Sequence, residues 1–198
     1  MNPLFTTLEF SLVLASGSPR RRQLLSGMDL PFSVISKETD ESFPEDMPGR
    51  DIAAYLCSKK SDAFEANELP ENFLLITADT VVVVDDQILN KASTKKEAQQ
   101  MLRQLSGKWH EVITGICLRS AGKKQVCSTT TAVKFAVLSE AEIEWYIENY
   151  KPYDKAGAYG IQEWIGYIGI EEIKGSFYNV MGLPTQRLYQ ELIRFMQK

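Results

Sequence analysis

The chain has 198 residues, of which 44% are hydrophobic, 24% charged and 10% aromatic, a composition typical of a soluble globular protein whose core needs no disulfide framework. Its formal net charge of −4 argues against non-specific binding to a nucleic-acid polymer or to an anionic membrane surface. The three cysteines are odd in number and far apart, which excludes a zinc cluster and indicates a reducing compartment.

The amino-terminal elements are predicted to be a strand, a helix and a second strand. Residues 12–15 form a short apolar run typical of a buried strand. Ser18 followed by Pro19 predicts a helix N-cap and first helical position. Residues 32–35 predict another strand, and the acidic segment 37–49, which contains two prolines, predicts a surface loop.

The rest of the chain alternates helical and strand patterns. The predicted elements are a helix over 50–67, a strand over 73–84, a turn at 85–86 before a short strand at 87–89, a helix with a capping box at Thr94 and Glu97, a hairpin of strands 111–118 and 125–137, a helix with a capping box at Ser139 and Glu142, a strand over 167–173, and an amphipathic helix opened by Pro184. Helices mixed with a long hairpin predict an α/β fold with a mixed sheet.

Three further expectations concern the chain as a whole. Residues 1–10 lack the basic region and apolar run of a signal peptide, and no apolar stretch approaches the ~18 residues of a membrane span. No repeat or linker interrupts the sequence, so one compact unit is expected. The single histidine, His110, excludes catalysis built on several imidazoles and leaves acid–base chemistry mainly to carboxylates or lysines.

The segment that follows the first strand, residues 16–22, favours an anionic ligand. Backbone N–H groups and the helix dipole at a helix N-terminus attract anions, and Gly17 is expected to allow a tight turn. Cations in a first helical turn cost ~0.3–1 kcal/mol each, so three consecutive arginines there indicate a polyphosphate that they grip through paired N–H donors. The alternative is a solvated basic patch that neutralises the acidic loop.

Carboxylates supply a second group of candidates. Asp79 has apolar runs on both sides, so it is expected in the sheet or at a strand end, paired or bound to a metal; the alternative is an exposed turn. The loop 37–49 carries five acidic residues, namely Glu38, Asp40, Glu41, Glu45 and Asp46. Their oxygens suit Mg²⁺, although such runs are more often solvated surface.

Three lysines are candidates for phosphate contact. Lys59 and Lys60 both lie beside the apolar stripe of the helix 50–67, and spacing does not choose which of them reaches inward. Lys91 follows the strand 87–89 and is a further candidate, with simple solvent exposure as the alternative.

The segment 153–162 alternates small and polar residues, so its backbone could closely approach a ligand. Tyr159 could pack against a base and Gln162 could hydrogen-bond the edge of that base. A purely structural loop is an equally good interpretation. His110 and the cysteines show no partner arrangement and are expected to be structural.

These motifs, in this order, resemble the Maf family of nucleoside triphosphate pyrophosphatases. They are Ala15-Ser16-Gly17-Ser18-Pro19-Arg20-Arg21, Ala78-Asp79-Thr80 and Asp154-Lys155-Ala156-Gly157-Ala158-Tyr159-Gly160-Ile161-Gln162, with Leu105-Ser106-Gly107, Gly175-Ser176 and Gly182-Leu183-Pro184 in support. The first and last motifs together are highly specific. The resemblance implies one Maf-like domain over 1–198, with a mixed twisted α/β sheet flanked by helices and two lobes around a central cleft, as in inosine triphosphate pyrophosphatases.

The resemblance also implies an activity and a set of site residues. Family members are cytoplasmic, often dimerise, and use a divalent metal to hydrolyse a nucleoside triphosphate to the monophosphate and pyrophosphate. Family positions fall here on Ser16, Arg20, Arg21, Glu41, Lys60, Asp79 and Lys91, with Arg20, Thr80 and Gln162 matching positions linked to substrate choice. Asp79 matches the proton acceptor. Residues 154–162 are similar to the branch that acts on dTTP and UTP.

From this resemblance we expect Mg²⁺, with Mn²⁺ or Co²⁺ as alternatives, held by Glu41 and Asp79, and either of these carboxylates could be the base. The substrates are expected to be dTTP and UTP or modified pyrimidine nucleotides. Two other functions are considered. One is a nucleotide-binding regulator of cell division and septum formation without turnover; the other is a nucleotidyltransferase, for which no acceptor-binding motif is visible.

Overall fold

A computed structural model describes residues 10–197, and most predicted elements are present in it. The strands are β1 (Ser11–Ala15), β2 (Ser33–Ile35), β3 (Phe73–Val84), β4 (Gln87–Leu89), β5 (Trp109–Arg119), β6 (Lys124–Phe135) and β7 (Ile170–Lys174). The helices are α1 (Pro19–Ser26), α2 (Gly49–Asp62), α3 (Lys95–Leu105), α4 (Glu140–Tyr150), α5 (Trp164–Gly169), α6 (Phe177–Met181) and α7 (Thr185–Met196).

The strands form a single open sheet in the order β2-β1-β3-β5-β6-β7, and β4 pairs with β3 off this path. The strand β1 is parallel to both β2 and β3, whereas β3–β4 and β6–β7 are antiparallel. Helices flank this sheet. The predicted class, α/β with a mixed sheet flanked by helices, is therefore confirmed, and so is the pairing of β5 with β6.

The described chain separates into two compact units. Unit 1 comprises residues 10–79, 114–129 and 182–197, and unit 2 comprises residues 80–113 and 130–181. The long strands β3, β5 and β6 each contribute residues to both units. A hydrophobic cluster of unit 1 joins residues of β1 and β3 with the segment after α2, namely Val13, Ala15, Phe64, Leu69, Phe73 and Leu75.

Local signals set several element ends as predicted. Ser18 caps α1 and Pro19 occupies its first turn. Ser139 and Glu142 form the reciprocal capping box that opens α4. Thr94 caps α3 as predicted. In a complete capping box the carboxylate of Glu97 would accept from the Thr94 N–H, but it accepts from the Ser93 N–H at 2.7 Å. The predicted reciprocal hydrogen bond of that box is therefore wrong.

Two predicted elements end or begin elsewhere. The helix 50–67 ends at Asp62, because Glu65 and Glu68 cap a separate 3₁₀ turn over Ala66–Glu68. The strand 167–173 begins at Ile170, since residues 164–169 form α5. A short apolar run does not distinguish a helix from a strand by its pattern alone, and here the helical turn takes its first three residues.

The buried face of α4 is formed by Ile143, Tyr146 and Ile147. Tyr150 falls on the same face by its spacing, but it is 38% exposed.

Among the described residues, no helix is long and apolar enough to cross a membrane. The expected lack of a signal peptide concerns a segment whose first nine residues lie outside the described part of the chain.

Close packing between β5 and α2 yields a stability prediction. A Cβ added at Gly115 would lie 2.7 Å from the Ala54 nitrogen and closer still to the Ala53 carbonyl group. The backbone of α2 would have to shift, so Gly115→Ala is expected to lower the free energy of unfolding by about 1–3 kcal/mol. Urea denaturation measures this change.

The matched control is Gly122→Ala, in the turn between β5 and β6. A Cβ at residue 122 would meet nothing within 4 Å in the described part of the chain, so this variant should stay within about 0.5 kcal/mol of the parent. Equal denaturation midpoints for the two variants would show that the contact at Gly115 can relax without cost.

Candidate active site

The turn at the carboxyl end of β1 is held by two serines. Ser16 is buried, and its hydroxyl accepts a hydrogen bond from the Ser18 N–H at 3.2 Å. Ser18 in turn accepts from the Arg21 N–H at 3.5 Å. Gly17 has no positive φ, so, contrary to expectation, the turn does not depend on the conformational freedom of glycine. A Cβ at Gly17 would meet no other described atom within 4 Å, and this open space lets a ligand approach the backbone.

Asp79 lies inside β3, past the point where β1 ends. In the parallel pairing of β1 with β3, Leu14 is opposite Ile76; β1 ends at Ala15, and Asp79 follows Ile76 by three residues. Asp79 is 7% exposed, so it lies in the sheet as predicted and the exposed-turn alternative is wrong. A buried carboxylate therefore lies near the predicted anion-binding turn.

The ammonium of Lys60 joins two carboxylates. Lys60, in the last turn of α2, ion-pairs with Asp79 and, at 2.7 Å, with Glu41 of the acidic loop. The side chains of Lys60 and Asp79 are 16% and 11% exposed, whereas that of Glu41 is 44% exposed. An unpaired buried carboxylate costs several kcal/mol, and the ion pair with Lys60 offsets that cost for Asp79. The structure thus brings three predicted site residues together.

The two consecutive lysines have different partners. Lys59 reaches the carboxylate of Asp40 at 2.8 Å and the carbonyl of Ser42 at 2.9 Å. These contacts, with the hydrogen bonds from Ser42, hold the pKa of Asp40 well below its usual range. The lysine that reaches the buried carboxylate is Lys60, which decides the choice that spacing left open. The other acidic residues of the loop are exposed and fit the solvated-surface interpretation, namely Glu38, Glu45 and Asp46.

Arg21 belongs to the same charged cluster. Its Nε donates to the carbonyl of Gly182 at 2.8 Å, which fixes the plane of the guanidinium. Burial lowers the pKa of Arg21, while the negative charge of Asp79, and more weakly that of Glu41, raises it. The neighbouring charge of half-buried Arg20 lowers the pKa of Arg21 further. Two arginines therefore accompany the lysine-bridged carboxylates in unit 1.

In unit 2 the segment 153–162 lies against Lys91. Lys91 forms an antiparallel bridge with Ala156, and the Gly157 N–H donates to the carbonyls of residues 89 and 90 at 3.1 and 3.2 Å. Gly157 has a φ of 69° and a Cβ there would lie 3.2 Å from a valine side chain, so this position requires glycine. The structure therefore unites Lys91 with the motif predicted to contact the base. Thr80, which follows directly after the buried carboxylate in β3, is half-buried.

Tyr159 is not available to pack against a base. It is 5% exposed, and its ring packs edge-on against Phe135 and His110, with centroid distances of 4.9 and 5.4 Å. Its hydroxyl lies 2.7 Å from His110 Nε2, and burial raises the pKa of that hydroxyl. The predicted contact of Tyr159 with a base is therefore wrong, because its ring is buried in the aromatic packing of unit 2. His110 is structural as expected, but it does have a partner.

Gln162 presents an unsatisfied acceptor. Its Oε1 is buried and has no hydrogen-bond partner in the part of the chain that the structure describes. A buried acceptor left without a donor costs about 1–3 kcal/mol. A ligand that offers an N–H group at this place would remove that cost, which supports the predicted role of Gln162 in recognising the edge of a base.

Unit 2 contains a side-chain network whose members are not among the predicted site residues. Glu163 ion-pairs with Lys155 at 3.0 Å and accepts a hydrogen bond from the Tyr146 hydroxyl. That hydroxyl accepts from the Gly160 N–H at 3.0 Å. The pattern of α4 predicts Tyr146 only as a buried residue. The one sequence signal by which Glu163 could have been found is its position, as a charged residue directly after the small-residue motif.

The oxygens near Asp79 fit a metal that arrives with other ligands. Within residues 10–197, no group of three or more His, Cys, Asp or Glu side chains is arranged to hold a metal. Asp79 and Glu41 offer two carboxylates, and both pair with Lys60. Mg²⁺ is commonly bound by one or two carboxylates while water and substrate phosphates complete its shell. The two carboxylates match that mode of binding.

Fold and site together define an open-sheet α/β protein in which two arginines, a lysine and two carboxylates lie together in one unit. The chain belongs to the Maf family, since residues 11–195 match the family model described as Maf-like protein. This confirms the predicted membership.

Curated relatives similar to most of the chain share one name, "dTTP/UTP pyrophosphatase". The relative from Parabacteroides distasonis is 50% identical over 188 residues, covering 94% of this chain and 97% of its own. That from Bacteroides thetaiotaomicron is 48% identical over 185 residues, covering 93% and 95%. That from Porphyromonas gingivalis is 47% identical over 189 residues, covering 94% and 95%.

The buried imidazole of His110 gives a pH-dependent stability. Burial lowers the pKa of His110 to about 4 from an ordinary value of 6.5. Below pH 6.5 His110 is protonated in the unfolded chain, whereas in the folded chain it is protonated only near pH 4. The contribution of neutral His110 to the free energy of unfolding is therefore fully present above pH 6.5. It falls by roughly 3 kcal/mol as the pH decreases to 4.

Urea denaturation of the parent and of His110→Gln at pH 7.0, 5.5 and 4.5 measures this contribution. Glutamine does not titrate, so the loss of stability on acidification should be smaller in the variant by roughly 2 kcal/mol at pH 4.5. Parallel pH profiles would mean that His110 takes up its proton over the same pH range in the folded and the unfolded chain, so that burial does not lower its pKa.

Proposed function

We propose that this protein hydrolyses dTTP and UTP to the monophosphate and pyrophosphate. The observation that carries the proposal is the lysine-bridged pair Asp79 and Glu41, which lies with Arg21 near the Ser16–Gly17 turn. This grouping offers cations and backbone N–H groups to phosphates and a buried carboxylate to water. Relatives with 47–50% identity that bear the name "dTTP/UTP pyrophosphatase" support the same activity.

The phosphates are proposed to bind at the turn before α1. Its first turn has no acidic residue, and arginines occupy it instead, an arrangement that becomes favourable when an anion binds. Arg21, oriented by the Gly182 carbonyl, would contact phosphate oxygens together with Arg20. For Lys91, which belongs to unit 2, a phosphate contact stays a prediction. Neutralising the charge that grows on pyrophosphate as it leaves would lower the barrier.

Asp79 is the proposed proton acceptor. Water attacks the α-phosphorus, the bond from this phosphorus to the oxygen of pyrophosphate breaks, and the proton of the water passes to the Asp79 carboxylate. We favour Asp79 over Glu41 because its side chain is far less exposed, so the surrounding protein fixes its orientation. Lys60 would hold Asp79 in place and share the charge of the leaving group.

A divalent cation, Mg²⁺ by its preference for oxygen ligands, is the proposed cofactor, with Mn²⁺ or Co²⁺ as alternatives. Glu41 and Asp79 are the residues that would hold it. When bound, such a cation neutralises phosphate charge and makes a coordinated water more acidic. For this to occur, the ammonium of Lys60 has to give up part of its contact with the two carboxylates, and phosphate oxygens are the partners it would gain.

Gln162 is the proposed reader of the base. Roles of Thr80 and Arg20 in substrate choice stay predictions. The ring N3–H of thymine and uracil is a donor that suits the buried Oε1 of Gln162. We further propose the cytoplasm as the compartment, in keeping with three free cysteines, of which two are buried. A homodimer and the use of modified pyrimidine nucleotides stay predictions.

A panel of nucleoside triphosphates, assayed for pyrophosphate release with Mg²⁺ or Mn²⁺, tests the proposed function. The expected result is kcat/KM for dTTP and UTP at least about tenfold above that for purine triphosphates. Preference for purines would overturn the role of Gln162. Tight binding without release would favour a non-hydrolytic regulator.

The variant Asp79→Asn tests the proposed base. Loss of a general base typically costs a factor of about 10²–10⁴, so kcat for dTTP should fall at least about a hundredfold with little change in fold. The matched control is Asp62→Asn, which removes an exposed carboxylate paired with Lys124 at 2.7 Å in the same unit and should keep the parent rate. If Asp79→Asn also hydrolyses dTTP at the parent rate, Asp79 is not the proton acceptor.

A further inference from the structure

We propose that Glu163 is a positioning residue that sets the selectivity of Gln162 for thymine and uracil. It acts through a network of Tyr146, Glu163 and Lys155, which we call the loop clamp. The inference rests on the proposed function, since it deepens the role given there to Gln162.

The loop clamp fixes the base-reading loop, residues 154–163, at three points. Near its start, the Lys155 ammonium lies 3.0 Å from one oxygen of the Glu163 carboxylate. In its middle, the Gly160 N–H donates to the Tyr146 hydroxyl at 3.0 Å. At its end, Glu163 accepts from that same hydroxyl through its other oxygen. One carboxylate thereby ties both ends of the loop to α4.

Gln162 lies directly between two of these fixed points. The Glu163 N–H donates to the Gly160 carbonyl at 3.0 Å, which closes the chain around residues 161 and 162. A Cβ at Gly160 would lie 2.7 Å from the carboxyl carbon of Glu163, so this side chain is packed directly against the backbone of the loop. A shift of the carboxylate would therefore move the backbone that carries Gln162.

The loop needs such fixing because its backbone is not in a relaxed conformation. Gly157 and Ala158 are consecutive residues with φ of 69° and 56°. A left-handed conformation at a non-glycine residue persists when the surrounding structure imposes it. The charged groups of the clamp are also costly to bury: the side chains of Lys155 and Glu163 are 9% and 18% exposed, and a buried ion pair adds little net stability over apolar packing. Holding one loop geometry is a function that such a pair can serve.

The chemistry of the base explains why geometry matters at Gln162. A carboxamide carries an acceptor and a donor, so a mobile Gln162 can match the N3–H and O4 of uracil or, after turning over, the N3 and amino group of cytosine. Selectivity for thymine and uracil therefore requires the side chain to enter from a fixed backbone position.

Kinetics of Glu163→Gln with dTTP, UTP and dCTP tests the proposal. Glutamine keeps the size of the side chain and an acceptor for Tyr146 but removes one of the two carboxylate charges that pair with Lys155, the other being that of Asp154 at 2.8 Å. We expect KM for dTTP and UTP to rise about three- to tenfold while kcat stays within about twofold. With kcat/KM for dCTP little changed, the ratio of kcat/KM for dTTP over dCTP should fall by about the same three- to tenfold, as expected when one well-placed hydrogen bond is lost.

A second variant covers the case in which Glu163→Gln does not fold. Tyr146→Phe keeps the ring and the ion pair but removes the hydroxyl that joins Gly160 to Glu163, and it should lower the same ratio. The matched control is Glu140→Gln, which breaks an exposed ion pair with Arg103 of 2.7 Å in the same unit and should leave the ratio unchanged. Thermal unfolding reports the folded fraction of each variant.

The outcomes separate this proposal from the function on which it rests. A parent protein that does not prefer dTTP and UTP overturns the proposed function and this inference with it. A parent that prefers them, with folded variants that keep the parent ratio, overturns the inference alone. A uniform loss of rate for all three nucleotides at constant ratio also overturns it, because it indicates a structural role without selectivity.

Discussion

The ammonium of Lys60 is the charge on which the candidate active site depends. Asp79 is enclosed in β3, where an ionised carboxylate needs a nearby cation, and Glu41 is held next to it by the same nitrogen atom. The lysine stands at the carboxyl end of α2, where the helix dipole favours a positive charge. The positions of a helix, a strand and a loop are thereby coupled through one side chain.

The two units differ in the kind of chemistry they offer. The described part of unit 1 contains the arginines, the lysine and the two carboxylates that suit a polyphosphate. Unit 2 contributes a loop whose backbone is fixed by glycine, by an ion pair and by packed aromatic rings, and which carries one amide side chain. Under the proposed function, the cations of unit 1 would bind phosphates, for which several arrangements of charge suffice. The loop of unit 2 would recognise a base, which requires one orientation of the amide and so suits a fixed backbone.

Features that depend on neighbours in the chain are those that the sequence predicts well. Ser18 before Pro19 marks the start of α1, and the run of apolar residues in β3 marks that strand to the residue. Partners distant in sequence are different. The ring of Tyr159 is buried because it packs against residues 110 and 135, and no pattern in the sequence around Tyr159 predicts these contacts. The same holds for the carbonyl of Gly182, which orients a guanidinium 161 positions earlier.

The acidic loop is attached to α2 at two adjacent points of unequal exposure. The outer ion pair, Lys59 with Asp40, has a carboxylate that is 68% exposed, whereas the inner lysine, Lys60, is largely enclosed. Dissolved salt screens exposed charges far more than enclosed ones. Rising ionic strength would thus weaken the ion pair of Lys59 with Asp40 first, and the loop would stay attached to α2 through Glu41 and Lys60. The mobility of the loop and its contact with Lys60 therefore respond separately to the ionic composition around the protein.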